Sequence, residues 1–356
     1  MSDITISGQE SQRELGQEPI LSPALQQRAH VPAPHHSKGK PSPSRQPIIK
    51  CENISVSYGN KVALDSVSFD IYDGEVFGLL GSNGAGKSTL LSCLARLNRG
   101  YKGSLTVLGH EIKKHRETTV SQIALVPQEF SFFSSFTVYE NLRFACSCFN
   151  IKGKEMQERI NSLMADYQLE GLAKMRASSL SGGYKRLLNI AISVVKKPKI
   201  ILLDEPTAGL DVEMRQEING AIKRFRAQGA TVILTTHYLE DVEDVCDRVA
   251  LLSLGKVVAY GTIDELVAKH GGPYNIILSD ISAGMDRLIR SIEKSKLFVK
   301  AIPGENKLHL VCPQESIVEA LSEISAITSS NRVRIGKIDV REPSLNKVFL
   351  GTVGLK

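Results

Sequence analysis

Val76-Phe77-Gly78-Leu79-Leu80-Gly81-Ser82-Asn83-Gly84-Ala85-Gly86-Lys87-Ser88 is the stretch on which the fold turns. Val76 to Leu80 is a short continuous apolar run, the mark of a strand buried on both faces of a parallel sheet. The residues from Gly81 to Ser88 fit G-x-x-x-x-G-K-[ST], and Ser88 to Leu97 reads as a helix. In that strand, loop and helix order the spacing has a physical meaning. Glycines let the backbone wrap so that its amides converge on phosphate oxygens, and the following helix points its positive end at the same place. Lys87 adds a mobile positive charge for β- and γ-phosphates, and the Ser88 hydroxyl is placed to bind magnesium. A chance glycine-rich loop would lack the flanking strand and helix.

Outward from this loop the pattern continues. Ile54 to Tyr58 and Ser66 to Ile71 alternate apolar and polar residues, as half-buried antiparallel strands do, with Gly59-Asn60 and Asp73-Gly74 as turns. Lys199-Ile200-Ile201-Leu202-Leu203-Asp204-Glu205-Pro206 forms another buried strand ending in a carboxylate. Ligands of open α/β sheets sit at that edge. Asp204 is placed to hold a magnesium shell and Glu205 to orient an attacking water. Adjacent acids can also be a solvated strand end, but few solvated acids follow a run this apolar. No Asn-Lys-x-Asp guanine-reading motif is present, so ATP is favoured over GTP. Leu180-Ser181-Gly182-Gly183 directly precedes a helical pattern from Tyr184 to Val195. A hydroxyl, bare amides and a helix start make a second anion site. One chain with two such sites makes sense when two copies share the ligand.

These motifs together resemble an ATP-binding-cassette (ABC) nucleotide-binding subunit over about Ile48 to Lys269. The resemblance implies an α/β P-loop NTPase cassette with a RecA-like parallel core, an antiparallel β subdomain and a helical subdomain at about 129–195. It implies that Gly81, Ser82, Asn83, Gly84, Ala85, Gly86, Lys87, Ser88 and Thr89 surround ATP, with Tyr58 stacked on adenine. Gln128 joins Ser88 and Asp204 at Mg2+, while Glu205, His237 and Lys87 form the catalytic set. Ser181, Gly182 and Gly183 then act in trans on a second subunit's ATP, and Asp211 belongs to the loop that crosses between subunits. A lone histidine at a strand end is usually structural; for His237 the surrounding motifs reverse that reading. Tyr184 stands where the family most often has Gln, but the phosphate contacts come from Ser181 and the glycine amides, so hydrolysis should survive.

The rest of the chain bounds the reading. Its 356 residues suffice for one α/β domain plus a smaller one, and 42% hydrophobic with 23% charged residues is ordinary globular composition. No stretch approaches the length needed to span a bilayer. A net charge of +6, with scattered basic residues, gives no reason to expect nucleic acid as a partner. The six cysteines include no CxxC pair and read as free thiols. Residues 1–47 are rich in Ser, Pro, Gln and His and read as a disordered tail, with the cassette expected over 48–272. From Pro273 the order is β-α-β-β-α-β: strands at Tyr274 to Leu278, Leu297 to Ile302, Lys307 to Cys312 and Val333 to Val340, with helices at Ala283 to Lys294 and Glu315 to Ile327. That order predicts a ferredoxin-like α+β accessory domain over 273–356, closed by Glu342-Pro343-Ser344-Leu345 and a short helix to Leu350.

Similar C-terminal additions occur in exporter-type ABC subunits for drugs, toxins and polysaccharides. The resemblance therefore implies an ATPase that pairs head to tail, as a homodimer, and drives export through a separate polytopic permease. Its expected place is peripheral, on the cytoplasmic face of a bacterial inner membrane. Phe130, Phe132, Phe133 and Phe136 are either core or the lining of a groove that receives a permease helix. A non-transport ABC ATPase of translation or DNA repair is the alternative; it is opposed by a single cassette without a long heptad insertion.

Overall fold

The computed structural model describes residues 46–114, 119–281 and 284–352. Apart from Gln46 and Pro47, the expectation for the N-terminal tail lies outside the described residues. Strands β1 (Pro47–Tyr58) and β2 (Lys61–Tyr72) form a long hairpin whose turn uses Gly59 at φ 57. With β4 (Lys102–Val107) and β5 (His110–Glu111) they build an antiparallel sheet ordered β2-β1-β4-β5.

The second sheet carries the apolar runs. It contains β3 (Val76–Leu80), β6 (Ile123–Val126), β7 (Ile200–Asp204), β8 (Thr231–Thr236), β9 (Arg248–Ser253) and β10 (Lys256–Thr262). The order is β10-β9-β3-β8-β7-β6; all neighbours are parallel except β10, which runs against β9. Successive residues point to opposite faces and meet different cores. Phe77, Ile200, Leu202 and Ile233 pack with Leu90, Leu91 and Leu94 of α1 (Lys87–Leu94) and with Ile54 and Phe69 of the first sheet. Val76, Ile201, Leu203 and Val232 pack on the opposite side. Their partners there come from α2 (Val138–Cys148), α3 (Gly153–Asp166), α4 (Gly182–Ser193) and α5 (Val212–Ala227). Helix α1 ends three residues short of the sequence expectation. Arg96 adopts φ 60, and Leu97 is exposed with nothing to hold it against the core.

Helix α6 (Leu239–Val245) follows β8, and α7 (Ile263–His270) follows β10 with a Thr262/Glu265 capping box. All six cysteines are free; Cys146 is buried and Cys148 exposed, as expected for positions two apart on α2.

The C-terminal elements are β11 (Tyr274–Ile281), α8 (Met285–Ile292), β12 (Lys300–Gly304), β13 (Lys307–Cys312), α9 (Ile317–Asn331) and β14 (Ile335–Arg341). Their antiparallel order β12-β13-β11-β14 is that of a ferredoxin-like fold, with Ile276, Leu278, Leu308 and Leu310 facing Leu288 and Ile324 of the two helices. Strand β12 lies later than the expected Leu297 to Ile302. Gly304 pairs with Lys307, so the two-residue Glu305-Asn306 turn fixes the register of β12 from its far end.

The last helix, α10 (Leu345–Thr352), leaves this sheet. Ser344 caps it, accepting the Lys347 N–H at 3.4 Å. Leu345 and Val348 are fully buried in a cluster with Leu80, Val249, Leu251, Ala259 and Leu266. Gln314, in the turn between β13 and α9, also donates to the Val267 and Gly272 carbonyls at 3.1 and 2.9 Å. Helix α10 therefore completes the packing behind β3. Leu345→Ala should cost about 2–5 kcal/mol of unfolding free energy, the range for a buried leucine truncation. Urea denaturation with unchanged m-value would show it.

Candidate active site

Strand register creates the site. Leu80 of β3 pairs with Thr236 of β8, Asp204 of β7 pairs with Thr235, and Val126 of β6 pairs with Leu203. Four adjacent strands therefore end at one level. The residues just beyond them, Gly81, Gln128, Glu205 and His237, leave the same sheet edge.

The loop after β3 is shaped by its glycines. A methyl group at Gly81 would lie 2.5 Å from the Leu252 carbonyl oxygen, and one at Gly86, where φ is 108, would lie 2.6 Å from that of Ala63. Neither position admits another residue without moving backbone. Ala85 is buried and donates its N–H to Ser82 O at 3.2 Å, while Ser82, Asn83 and Gly84 are exposed at the rim. Thr89 is half-buried on α1, one residue after Ser88.

Lys87 is buried, and its ammonium donates to Gly81 O at 2.8 Å and Ser82 O at 3.2 Å. It also stands 3.3 Å from Glu205 Oε1. The other Glu205 oxygen is 3.3 Å from His237 Nδ1, so this carboxylate bridges the lysine and the histidine. Glu205 takes the left-handed region at φ 45, a conformation that costs a non-glycine residue energy and recurs at functional sites. Its N–H donates to Thr235 Oγ1 at 2.9 Å. Thr235 in turn donates to Asp204 Oδ1 at 2.6 Å, and Ser88 Oγ donates to the same oxygen at 3.1 Å. Ser88 and Asp204 thus present two hard oxygen donors side by side. Among the described residues no cluster of three or more His, Cys, Asp or Glu side chains could hold a metal alone. The Ser88 and Asp204 oxygens suit magnesium, which takes one or two protein oxygens and fills its shell with water and phosphate.

Gln128 is held through its backbone. Arg186 of α4 donates to the carbonyls of Pro127 and Gln128 at 3.2 and 2.8 Å, and Asn189 donates to Pro127 O at 3.2 Å. Burial lowers the Arg186 pKa, with Asp204 opposing the shift. Tyr58 is exposed at the end of β1, and its hydroxyl accepts from Asn98 Nδ2 at 2.8 Å.

A second group lies elsewhere on the chain. Ser181 caps α4, accepting the Tyr184 N–H at 3.4 Å, and Asp211 caps α5, accepting the Met214 N–H at 2.8 Å. Gly182 is exposed; Gly183 is buried against Met214, which a methyl group would meet at 2.5 Å. Ser181–Gly183 and the Asp211 loop are therefore neighbours through Met214. Among the described residues, no hydrogen bond or ion pair joins Ser181–Gly183 to Gly81–Ser88.

Sequence reasoning missed Thr235, Arg186 and Asn98. Thr235 had a signal: two hydroxyl residues close a fully buried strand directly after the apolar run Val232-Ile233-Leu234. Arg186 and Asn98 act on segments distant in sequence, and nothing local announces those contacts.

Comparison with known proteins follows from this geometry. The sequence model of ABC transporters matches residues 64–208. The linearmycin resistance ATP-binding protein of Bacillus subtilis (strain 168) is 32% identical over 307 residues, covering 86% of this chain and 98% of its own length. Nod factor export ATP-binding protein I of Sinorhizobium fredii (strain NBRC 101917 / NGR234) is 37% identical over 336 residues, with 94% and 93% covered. A solved ATP binding subunit of an ABC transporter aligns with a TM-score of 0.57 at 28% identity, over 63% of this chain and 93% of that one.

Proposed function

The chain belongs to the ABC transporter ATP-binding family, and on that premise we propose that it is the ATPase of an exporter, working on a separate membrane permease. It binds and hydrolyses ATP. The observation that carries the residue assignment is the convergence of Lys87, Ser88, Asp204, Glu205 and His237 on one sheet edge. The export task draws on the relatives, which are named for Nod factor export and linearmycin resistance.

Phosphoryl transfer asks for in-line placement and stabilisation of negative charge more than for covalent chemistry. The amides from Gly81 to Thr89 and the start of α1 take the phosphates, and Tyr58 takes the adenine face. Lys87 exchanges its bond to Glu205 for one to the β- and γ-phosphates. That exchange frees Glu205 to orient a water and accept its proton. His237, beside Glu205, supports the γ-phosphate. Magnesium, held by Ser88 and Asp204 with Gln128 nearby, would supply further neutralisation of the phosphate charge.

Members of this family dimerise and work with membrane permeases. Here Ser181–Gly183 serve the ATP of a second copy, since they are tied to their own chain's Asp211 loop rather than to its Gly81–Ser88 loop. Among the described residues no helix is long and apolar enough to cross a membrane. The permease is the membrane-embedded part, and this subunit sits on its cytoplasmic side.

The contact surface is aromatic. Phe130, Phe133, Phe136 and Phe144 are 36–49% exposed, and the Phe133 ring lies 4.9 Å from that of Phe136, tilted, and 5.0 Å from that of Phe144, edge to face. Phe132 instead packs on the core beneath. Exposed apolar clusters of this kind mark partner sites. Affinity purification of the full chain from detergent-solubilised membranes should recover a polytopic membrane protein with two copies of this subunit. Recovery with ribosomes and without a membrane protein would favour the non-transport alternative.

A further inference from the structure

Asp241, on α6, plays no part in the chemistry above, yet its carboxylate is 1% exposed and sits beside the site. One oxygen, Oδ2, accepts from the Thr207 hydroxyl and, at 3.2 Å, from the Thr236 hydroxyl. Thr207 lies two residues after Glu205, and Thr236 immediately precedes His237. Thr236 Oγ1 also accepts the Tyr238 N–H at 3.0 Å. A single buried carboxylate therefore ties the loop that carries Glu205 to the loop that carries His237.

The other oxygen faces a different element. Oδ1 is buried without a hydrogen bond, and Arg215 Nε stands 3.8 Å away, also buried without a hydrogen-bond partner. Orphaned buried groups of opposite charge are costly, and these two face each other across a gap slightly too wide for a hydrogen bond. A shift of α5 by about 1 Å would close it to ordinary charge-assisted length. Arg215 is also one helical turn from the dimer loop, its N–H donating to Asp211 O at 3.0 Å. Its guanidinium lies over the Tyr238 ring at 4.6 Å, and that ring is 4.1 Å from the His237 imidazole. With that 3.8 Å gap as its one open link, the chain of contacts runs from Asp211 through Arg215 to Asp241, and through Tyr238 to His237.

We propose that Arg215 and Asp241 are positioning residues that couple the Asp211 loop to the Glu205–His237 pair, so that arrival of the partner subunit is registered at the site of the same chain. This rests on Glu205 and His237 being the reacting pair. A two-state contact biased from both ends is the physical requirement for such coupling, and that role falls to the Arg215–Asp241 pair, open here at 3.8 Å. If Asp241 only satisfied two threonine hydroxyls, Arg215 would be irrelevant to turnover.

The test is steady-state ATP hydrolysis by the full chain, across ATP and protein concentrations, for Asp241→Asn, Arg215→Met, the double variant and Arg215→Lys. Asp241→Asn and Arg215→Met should each lower kcat by about tenfold. KM for ATP, and the protein concentration giving half the maximal rate, should stay within about twofold. The double variant should be no slower than the slower single one, and Arg215→Lys should recover part of the rate. Wild-type kcat in Arg215→Met overturns the coupling, as do multiplying losses in the double variant or losses that only follow the melting temperature. Should Asp241→Asn fail to fold, the two Arg215 variants decide alone. Glu205→Gln is the control for the premise: its continued turnover would sink the site assignment itself, whatever Arg215 does.

Discussion

Glu205→Gln should lower the rate of ATP hydrolysis by about a hundredfold or more, the scale of losing a positioned general base, while ATP binding persists. The amide keeps the size of the carboxylate and can still accept the Thr235-supported backbone geometry, because the bond from Glu205 N–H to Thr235 does not involve the side chain. What is lost is the acceptor for a water proton. A second consequence follows from the 3.3 Å pair between Glu205 and Lys87. Removing its charge releases Lys87 toward the phosphates, so ATP affinity should hold or rise. With ATP bound and uncleaved, the paired subunits should stay closed and run as a dimer in size-exclusion chromatography. Turnover near the normal rate would remove Glu205 from this role.

Ser181→Arg should abolish hydrolysis almost as completely, by a different route. Ser181 is exposed at the start of α4, where its hydroxyl and the amides of Gly182 and Gly183 form an anion-binding helix end. An arginine there fills the space a partner's γ-phosphate would occupy. The isolated monomer should bind a fluorescent ATP analogue with unchanged affinity, since nothing of its own Gly81–Ser88 loop is altered. Mixing the variant with the Glu205→Gln chain gives a sharper reading. In the mixed pair the ATP of the Ser181→Arg chain meets that chain's intact Glu205 and the intact signature of the Glu205→Gln chain, while the other site has neither, so one site should work and activity should return. A mixture as inactive as its two parents would show that the two halves do not serve each other's ATP.

Much of this site was legible in the sequence because its chemistry is local. Gly81 to Ser88, Asp204 with Glu205, and Ser181 to Gly183 are short runs whose strand or helix context is visible from neighbouring apolar periodicity. The parallel strands Val76–Leu80 and Thr231–Thr236 form where the apolar runs place them, because burial on both faces leaves no polar ambiguity. The hidden parts depend on contacts across the fold. Thr235 matters because β8 lies beside β7, and Arg186 because α4 reaches back to Pro127 and Gln128. Strand β12 starts three residues and ends two residues later than expected because the Glu305-Asn306 turn, not local hydrophobicity, set its pairing. The closing Glu-Pro-Ser-Leu phrase was visible, but not that Leu345 would bury itself behind β3.

That last contact reaches back to the making of the protein. The ribosome produces Leu80, at the threshold of the phosphate loop, long before it produces Leu345 and Val348, which cover it. During synthesis the apolar flank formed by Leu80, Val249 and Leu251 must wait until Leu345 and Val348 have left the exit tunnel. A nascent or nicked chain ending before Ser344 would carry every residue assigned to ATP and still present that bare flank to chaperones and proteases.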